Sequence, residues 1–146
     1  MKYLLDTNIC IYLIKRRPES IFRVLTSQEA GSVALSTVTV AELYHGAARS
    51  QNPERNRAAL EQFLIPLVLA DFDLEAAITF GVIKTALERN GTPIGPLDTM
   101  IAAHALSLDL TLVTNNEREF RHVTELKITN WVSDYSSRSI PIDDRF

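Results

Sequence analysis

Short apolar runs alternate with longer amphipathic stretches along most of this sequence, and that alternation limits the folds open to it. Runs of three or four residues predict buried strands at 3–5, 32–35, 67–69, 111–113 and 127–129. Apolar residues at helical spacing predict helices over 8–16, 18–29, 38–49, 54–64, 74–89 and 97–108, and a helical turn at 118–120. Strands separated by helices pair in parallel through right-handed crossovers, so the predicted fold class is three-layer α/β.

The composition fits one globular domain. Of the 146 residues, 46% are hydrophobic and 23% are charged, which is not the composition of a disordered chain. No apolar run approaches the roughly 20 residues of a membrane span, and Asp6 interrupts the apolar stretch near the N-terminus, so we expect neither an anchor nor a signal peptide. After Trp131 the sequence is polar and aperiodic. We therefore predict one domain at 1–132 and a loosely ordered tail at 133–146.

Net charge and cysteine content bear on the binding partners and on the cellular compartment. A net charge of -3 and a pI near 5.6 argue against coating nucleic acid by bulk positive charge, but they allow a local basic surface beside an acidic site. The single cysteine, Cys10, lies among apolar residues. It predicts a buried free thiol in a cytoplasmic protein.

Polar side chains follow several of the predicted strands closely. They come from four segments far apart in the sequence: Asp6, Thr7 and Asn8; Ser36 and Glu42; Asp98; and Thr114, Asn116 and Glu119. Ligands of open parallel sheets bind beyond the carboxyl ends of the strands. The sequence therefore brings acids, amides and hydroxyls to one edge of the predicted sheet.

Each of these residues also has an ordinary structural explanation. Asp6 could cap a helix, Glu42 could close the capping box of the segment TVAE, and Asp98 could complement a helix dipole. Asn116 could be a turn residue and Glu119 an exposed helical acid. Glu42 and Asp98, however, are flanked by apolar residues, which caps do not require.

Converging carboxylates repel one another unless a cation neutralises them or some stay protonated. Oxygen ligands with no cysteine and little histidine suit Mg²⁺ or Mn²⁺ rather than zinc. Such a site serves phosphodiester hydrolysis. The three histidines lack HExxH spacing, His104 is interpreted as a core residue, and neither a Ser/His/Asp order nor a P-loop pattern occurs.

Four segments, in this order and spacing, resemble the PIN-domain ribonucleases: LLDTNICIYLI, STVTVAELYHGA, GTPIGPLDTMIAAHAL and LTLVTNNEREF. More narrowly, the chain resembles the VapC-type toxins of bacterial toxin–antitoxin pairs. The resemblance covers about residues 1–131. It implies a nuclease domain with a central parallel sheet of about five strands and helices on both faces.

The resemblance also implies the roles of the site residues. Asp6, Glu42 and Asp98 would bind Mg²⁺, with Mn²⁺ as a substitute. Many PIN domains have an aspartate where Asn116 stands here, and Glu119 would supply the missing acid as a fourth catalytic residue. Thr7 and Thr114 would orient these carboxylates or waters, with Asn8 and Ser36 as lesser candidates for the same role.

The implied activity is that of an RNA endonuclease leaving 5′-phosphate and 3′-hydroxyl ends, and the most similar subgroup cuts the anticodon loop of initiator tRNA. The implied partners are a cognate antitoxin and a second copy of the chain. The Tyr44-bearing helix and the helix from Glu54 could provide the homodimer face or the antitoxin groove, or simply fill the core.

Two other functions remain open from the sequence. A metal-dependent nuclease of this fold could act in RNA maturation or on DNA flaps, and an adjacent small antitoxin gene would distinguish the toxin from it. A catalytically silent binding module would keep the fold without metal. Asn116 favours that module, whereas Asp6, Glu42 and Asp98 count against it.

Overall fold

The computed structural model describes residues 1–132, and the predicted tail at 133–146 lies outside the described residues. The strands are β1 (Tyr3–Leu5), β2 (Val33–Ser36), β3 (Val68–Ala70), β4 (Thr111–Val113) and β5 (Ile128–Thr129). The helices are α1 (Thr7–Lys15), α2 (Glu19–Thr26), α3 (Thr37–Ala48), α4 (Pro53–Leu64), α5 (Leu74–Arg89), α6 (Pro96–Ser107) and α7 (Glu117–Phe120).

The strands form one parallel sheet in the order β3-β2-β1-β4-β5. β1 lies at the centre, with Tyr3 opposite Val33 of β2 and Leu5 opposite Val113 of β4. Because all the strands run the same way, their carboxyl ends meet at one edge. The predicted five-stranded α/β fold is confirmed.

Two apolar cores, one on each face of the sheet, make the fold three-layered. Leu4 points into a core with Ile101 and Leu112, whereas its neighbour Leu5 points into the other core with Ile9 and Leu43. Successive strand residues face opposite sides, so a three-residue strand such as β1 contributes to both layers. Leu4 and Leu5 are fully buried.

Most helix starts follow from local chemistry. Pro53 and Pro96 occupy the first positions of α4 and α6, where a missing N–H costs nothing. Asp73 caps α5 by accepting a hydrogen bond from Ala76 N at 3.0 Å. No helix within residues 1–132 is long and apolar enough to cross a membrane. Cys10 is a buried free cysteine, as predicted.

The second helix ends earlier than predicted. The sequence extends it to residue 29, but α2 ends at Thr26. The Thr26 and Ser27 hydroxyls donate to the Arg23 and Val24 carbonyls, at 3.1 and 2.7 Å, and so satisfy acceptors of the last turn. Gly31, with φ of 82°, then lets the chain turn into β2.

Candidate active site

Asp6 stands at the carboxyl end of the central strand and is only 4% exposed. Its Oδ1 accepts a hydrogen bond from Thr7 N at 2.7 Å, and its Oδ2 accepts one from Thr114 Oγ1 at 2.8 Å. Asp6 is therefore both a helix cap and a site residue. Its Oδ1 caps α1, and its Oδ2 is bonded to Thr114, the residue that follows β4. These two bonds fix the carboxylate in one orientation.

Glu42 reaches this edge from α3. Thr7 Oγ1 donates to Glu42 Oε1 at 2.9 Å and lies 3.4 Å from Thr39 Oγ1. The capping-box explanation of Glu42 is wrong, because α3 begins at Thr37 with Ser36 as its cap, and Glu42 bonds to the first turn of α1 instead. Thr7 thus orients Glu42 through its hydroxyl and Asp6 through its backbone N–H.

Glu119 of α7 is held by two donors. Gly95 N donates to its Oε1 at 3.3 Å, and Asn116 Nδ2 donates to its Oε2. Asn116 N in turn donates to Thr114 Oγ1 at 2.9 Å, so these bonds continue to Asp6. Glu119 is half-buried, and the description of it as an exposed helical acid is wrong.

Asp98 lies in the first turn of α6 and is half-buried. The pKa of Asp98 is raised to about 7, mainly by burial. The charges of Asp6 and Glu119, a hydrogen bond shared with Glu119 and the charge of Glu42 contribute the rest, in that order. The pKa of Asp6 rises to about 6, mainly through burial, with smaller contributions from Glu42 and Glu119 and opposition from Thr114 and Thr7. Burial raises the pKa of Glu42 as well, and the Thr7 hydrogen bond opposes it. The four carboxylates therefore share one electrostatic environment.

Of the two lesser candidates, Ser36 bonds to residues other than the four acids. Ser36 is fully buried, accepts from Val38 N at 3.1 Å and pairs with His104 Nδ1 at 2.8 Å. The structure thus joins Ser36 to α6 rather than to a carboxylate. Asn8 is half-buried in the first turn of α1.

The sequence did not predict the Ser36–His104 pair or the hydrogen bond from Gly95 N to Glu119. His104 is a core residue as expected, but its Nε2 has no hydrogen-bond partner within residues 1–132. Burial lowers the pKa of His104, and the Asp73 charge opposes this. No sequence signal predicts that these two distant residues pair. Taken alone, His104 fits the apolar helix α6 and Ser36 fits the cap of α3.

The donor chemistry of this edge fits a hard divalent cation. Within residues 1–132, no three acidic, histidine or cysteine side chains stand close enough together to hold a metal ion by themselves. Mg²⁺ does not require three, because it is bound through one or two carboxylates and keeps several waters. The raised pKa values of Asp6, Glu42 and Asp98 mark uncompensated negative charge, which a cation would neutralise. The assignment of these three residues as ligands stays a prediction.

Comparisons with known proteins agree on one family. The PIN domain model matches residues 3–126. Ribonuclease VapC2 of Haemophilus influenzae is 51% identical over 132 residues, which cover 90% of this chain and 99% of the relative. The tRNA(fMet)-specific endonuclease VapC of Shigella flexneri is 46% identical over 131 residues, covering 90% and 98%.

A solved structure extends the match to three dimensions. The DNA-bound VapBC of Salmonella typhimurium superposes with a TM-score of 0.82 at 45% identity, covering 90% of this chain and 99% of that one. The region that the family model matches includes all four acidic residues of the site. The chain belongs to the VapC ribonucleases of the PIN-domain family.

Proposed function

We propose that this chain is the toxin of a toxin–antitoxin pair and that it cuts the anticodon loop of initiator tRNA by hydrolysing a phosphodiester bond. One observation carries the proposal: Asp6, Glu42, Asp98 and Glu119 share one electrostatic environment at the carboxyl edge of the sheet. The 46% identity to a tRNA(fMet)-specific endonuclease supports the choice of substrate.

Asp6, Asp98 and Glu42 would hold Mg²⁺ or Mn²⁺, one or two of them directly and the rest through the waters that the cation keeps. When bound, the cation would polarise the phosphoryl group and supply an activated water for in-line attack. Thr114 and Thr7 keep Asp6 and Glu42 aimed at this edge before substrate arrives, through bonds of 2.8 and 2.9 Å. Such preorganisation avoids reorienting the carboxylates during the reaction.

Glu119 completes the site from α7, beside Asp98. Its two donors, Gly95 N and Asn116 Nδ2, hold it against the start of α6. We propose that Glu119 replaces the acid absent at position 116. The amide of Asn116 then serves to position Glu119 instead of binding a cation directly.

We propose a cognate antitoxin as the protein partner. VapBC2 of Rickettsia felis, solved bound to a DNA fragment from its promoter, superposes with a TM-score of 0.82 at 36% identity, and this supports the pairing. A groove of about 720 Å³ between α1, α2 and α4 offers an apolar docking surface that includes Leu13, Phe22, Leu25 and Phe63. An arginine in the antitoxin could pair with Asp6 or Asp98 at the sheet edge.

The test is cleavage of purified initiator tRNA, an elongator tRNA and a total RNA pool by antitoxin-free protein, with Mg²⁺ and with EDTA. We expect one discrete cut in initiator tRNA with Mg²⁺ alone, and none from Asp98→Asn. Glu125→Gln, which neutralises an exposed acid, is the matched control. Cleavage of DNA flaps without RNA cleavage, or no cleavage of either by folded protein with Mg²⁺, would refute the proposal.

A further inference from the structure

His104 is a buried polar side chain that the proposed reaction does not use. It stands in the middle of α6 and is 1% exposed. Its Nε2 has no hydrogen-bond partner in the part of the chain that the structure describes. Burying an unpaired polar atom costs free energy, and an apolar side chain of similar size would avoid that cost. A histidine at this position is therefore best explained by what its other nitrogen does.

The other nitrogen, Nδ1, is bonded to Ser36 Oγ at 2.8 Å. Ser36 caps α3, because its Oγ accepts a hydrogen bond from Val38 N at 3.1 Å. Burial lowers the pKa of His104 below its ordinary value of 6.5, so the ring is neutral at pH 7 and one of its nitrogens is an acceptor. The Ser36 hydroxyl can then accept from Val38 N and donate to Nδ1 at the same time. This hydroxyl joins the start of α3 to the middle of α6.

The loop between β3 and α5 contacts the pair from a third side. Phe72 of this loop packs against the His104 ring, with the ring centroids 5.3 Å apart and the ring planes at 80°. Phe72 N donates to Thr37 Oγ1, at the first residue of α3, at 3.1 Å. Ser36 and His104 are almost fully buried, so water does not compete for their bond. These contacts hold α3 and α6 in one relative position.

The two helices that this bond joins carry two acids of the site. Glu42 lies six residues after Ser36 on α3. Asp98 lies six residues before His104 on α6. Six residues of a helix span about 9 Å, which is fewer than two turns. A helix bends little over that length, so a shift at the paired residues is passed to the two acids.

We propose that His104 is a positioning residue that holds α3 against α6 through Ser36. The bond keeps Glu42 and Asp98 at the separation that one divalent cation needs. This role rests on the proposed function, in which these acids hold that cation. Residues that orient metal ligands without touching the metal strongly affect metal affinity. His104 can act in this way, because it belongs to the helix of one acid and is bonded to the helix of the other.

The first experiment measures Mn²⁺ affinity by calorimetry and stability by urea denaturation, for the full chain and three variants. His104→Leu keeps a large side chain but removes the bond to Ser36, and it should weaken Mn²⁺ binding about tenfold. His104→Asn places an amide near the position of Nδ1 and should recover most of that affinity. Leu87→Ala is the matched control: Leu87 is buried in the core that α5 shares with α6, and its truncation leaves the hydrogen bond intact. It should lower stability and leave the affinity unchanged.

A double-mutant cycle tests whether His104 acts through Ser36. Ser36→Ala should weaken Mn²⁺ binding, and adding His104→Leu should weaken it no further, because the same bond is already lost. Additive losses would overturn the proposal, and so would an affinity that follows stability across the variants instead of the hydrogen bond.

Two further outcomes separate this role from the proposed function. Wild-type affinity in Ser36→Ala, or in folded His104→Leu, would overturn the positioning role alone, provided that Asp98→Asn loses Mn²⁺ binding. Ser36→Ala keeps the test decisive even if His104→Leu does not fold, because it removes the same bond. A wild type that binds no Mn²⁺ would refute the proposed function and the positioning role together.

Discussion

Replacing Asp6 by asparagine should make the cation-free protein more stable while removing its activity. Asp6 is 4% exposed, and its pKa rises from 3.8 to about 6 in the folded chain. At about 1.4 kcal/mol per pKa unit, ionising this buried group costs the folded state about 3 kcal/mol at pH 7.5. An asparagine side chain at this position would carry no charge and would avoid that cost.

The hydrogen bonds of Asp6 offset part of this gain. An asparagine oxygen can still accept from Thr7 N, but its NH₂ would replace the Oδ2 atom that accepts from Thr114 Oγ1. Losing one well-placed bond costs about 1 kcal/mol. We expect Asp6→Asn to raise the free energy of unfolding by about 2 kcal/mol at pH 7.5 in EDTA.

The sign of the pH dependence distinguishes this explanation from a general effect of substitution. Because the folded-state pKa of Asp6 is raised, its contribution to wild-type stability is greatest below pH 3.8 and falls as the pH rises through about 6. The advantage of the variant should therefore disappear at pH 4, where the folded-state carboxyl is protonated. Excess Mg²⁺ should stabilise the wild type and reverse the order at pH 7.5, because a ligand that binds only the folded state stabilises it.

The assay is urea denaturation of both proteins in EDTA and in Mg²⁺, at pH 4 and pH 7.5, together with tRNA cleavage. Glu125→Gln, at an exposed position, should change stability little under all four conditions. If Asp6→Asn is less stable than wild type at pH 7.5 in EDTA, burial does not destabilise the carboxylate and the reasoning fails. A gain that is equal at both pH values would contradict the assignment to ionisation.

Three further substitutions test the site and the Ser36–His104 pair. Asp98→Asn should abolish tRNA cleavage while circular dichroism stays unchanged, and normal cleavage would mean that the site is misplaced. Asn116→Asp should keep or strengthen Mn²⁺ binding measured by calorimetry, because the bound cation neutralises the added charge and gains a hard oxygen ligand that outweighs the lost bond to Glu119. Loss of folding would instead assign Asn116 a purely structural part. Ser36→Ala should lower the free energy of unfolding by about 2 kcal/mol, since it removes a helix cap and leaves His104 Nδ1 without its 2.8 Å partner. An unchanged urea midpoint for Ser36→Ala would contradict that estimate.

The sequence predicted the parallel sheet and the position of acidic residues at its carboxyl edge, because both depend on local patterns. A three-residue apolar run followed by Asp6 indicates the end of a strand, whichever strands are its neighbours. Parallel pairing then places the carboxyl ends of the strands at one edge of the sheet. The end of α2 was harder to predict, because Thr26 and Ser27 terminate it through their own hydroxyls. The pairing of Ser36 with His104 depends on how two helices pack, which neither residue signals alone.

The role of Asn116 depends on its neighbours in the fold and could not be predicted from its residue type alone. By itself, an amide in place of an acid suggests a weakened metal site. In the structure, its side chain donates to Glu119 and its backbone N–H donates to Thr114, which holds Asp6. An aspartate could not make the first of these bonds when ionised, and it would add a further charge beside acids whose pKa values are already raised. Asn116 and Glu119 are therefore best understood as one unit: the amide positions the acid, and the site keeps its carboxylates with less mutual repulsion.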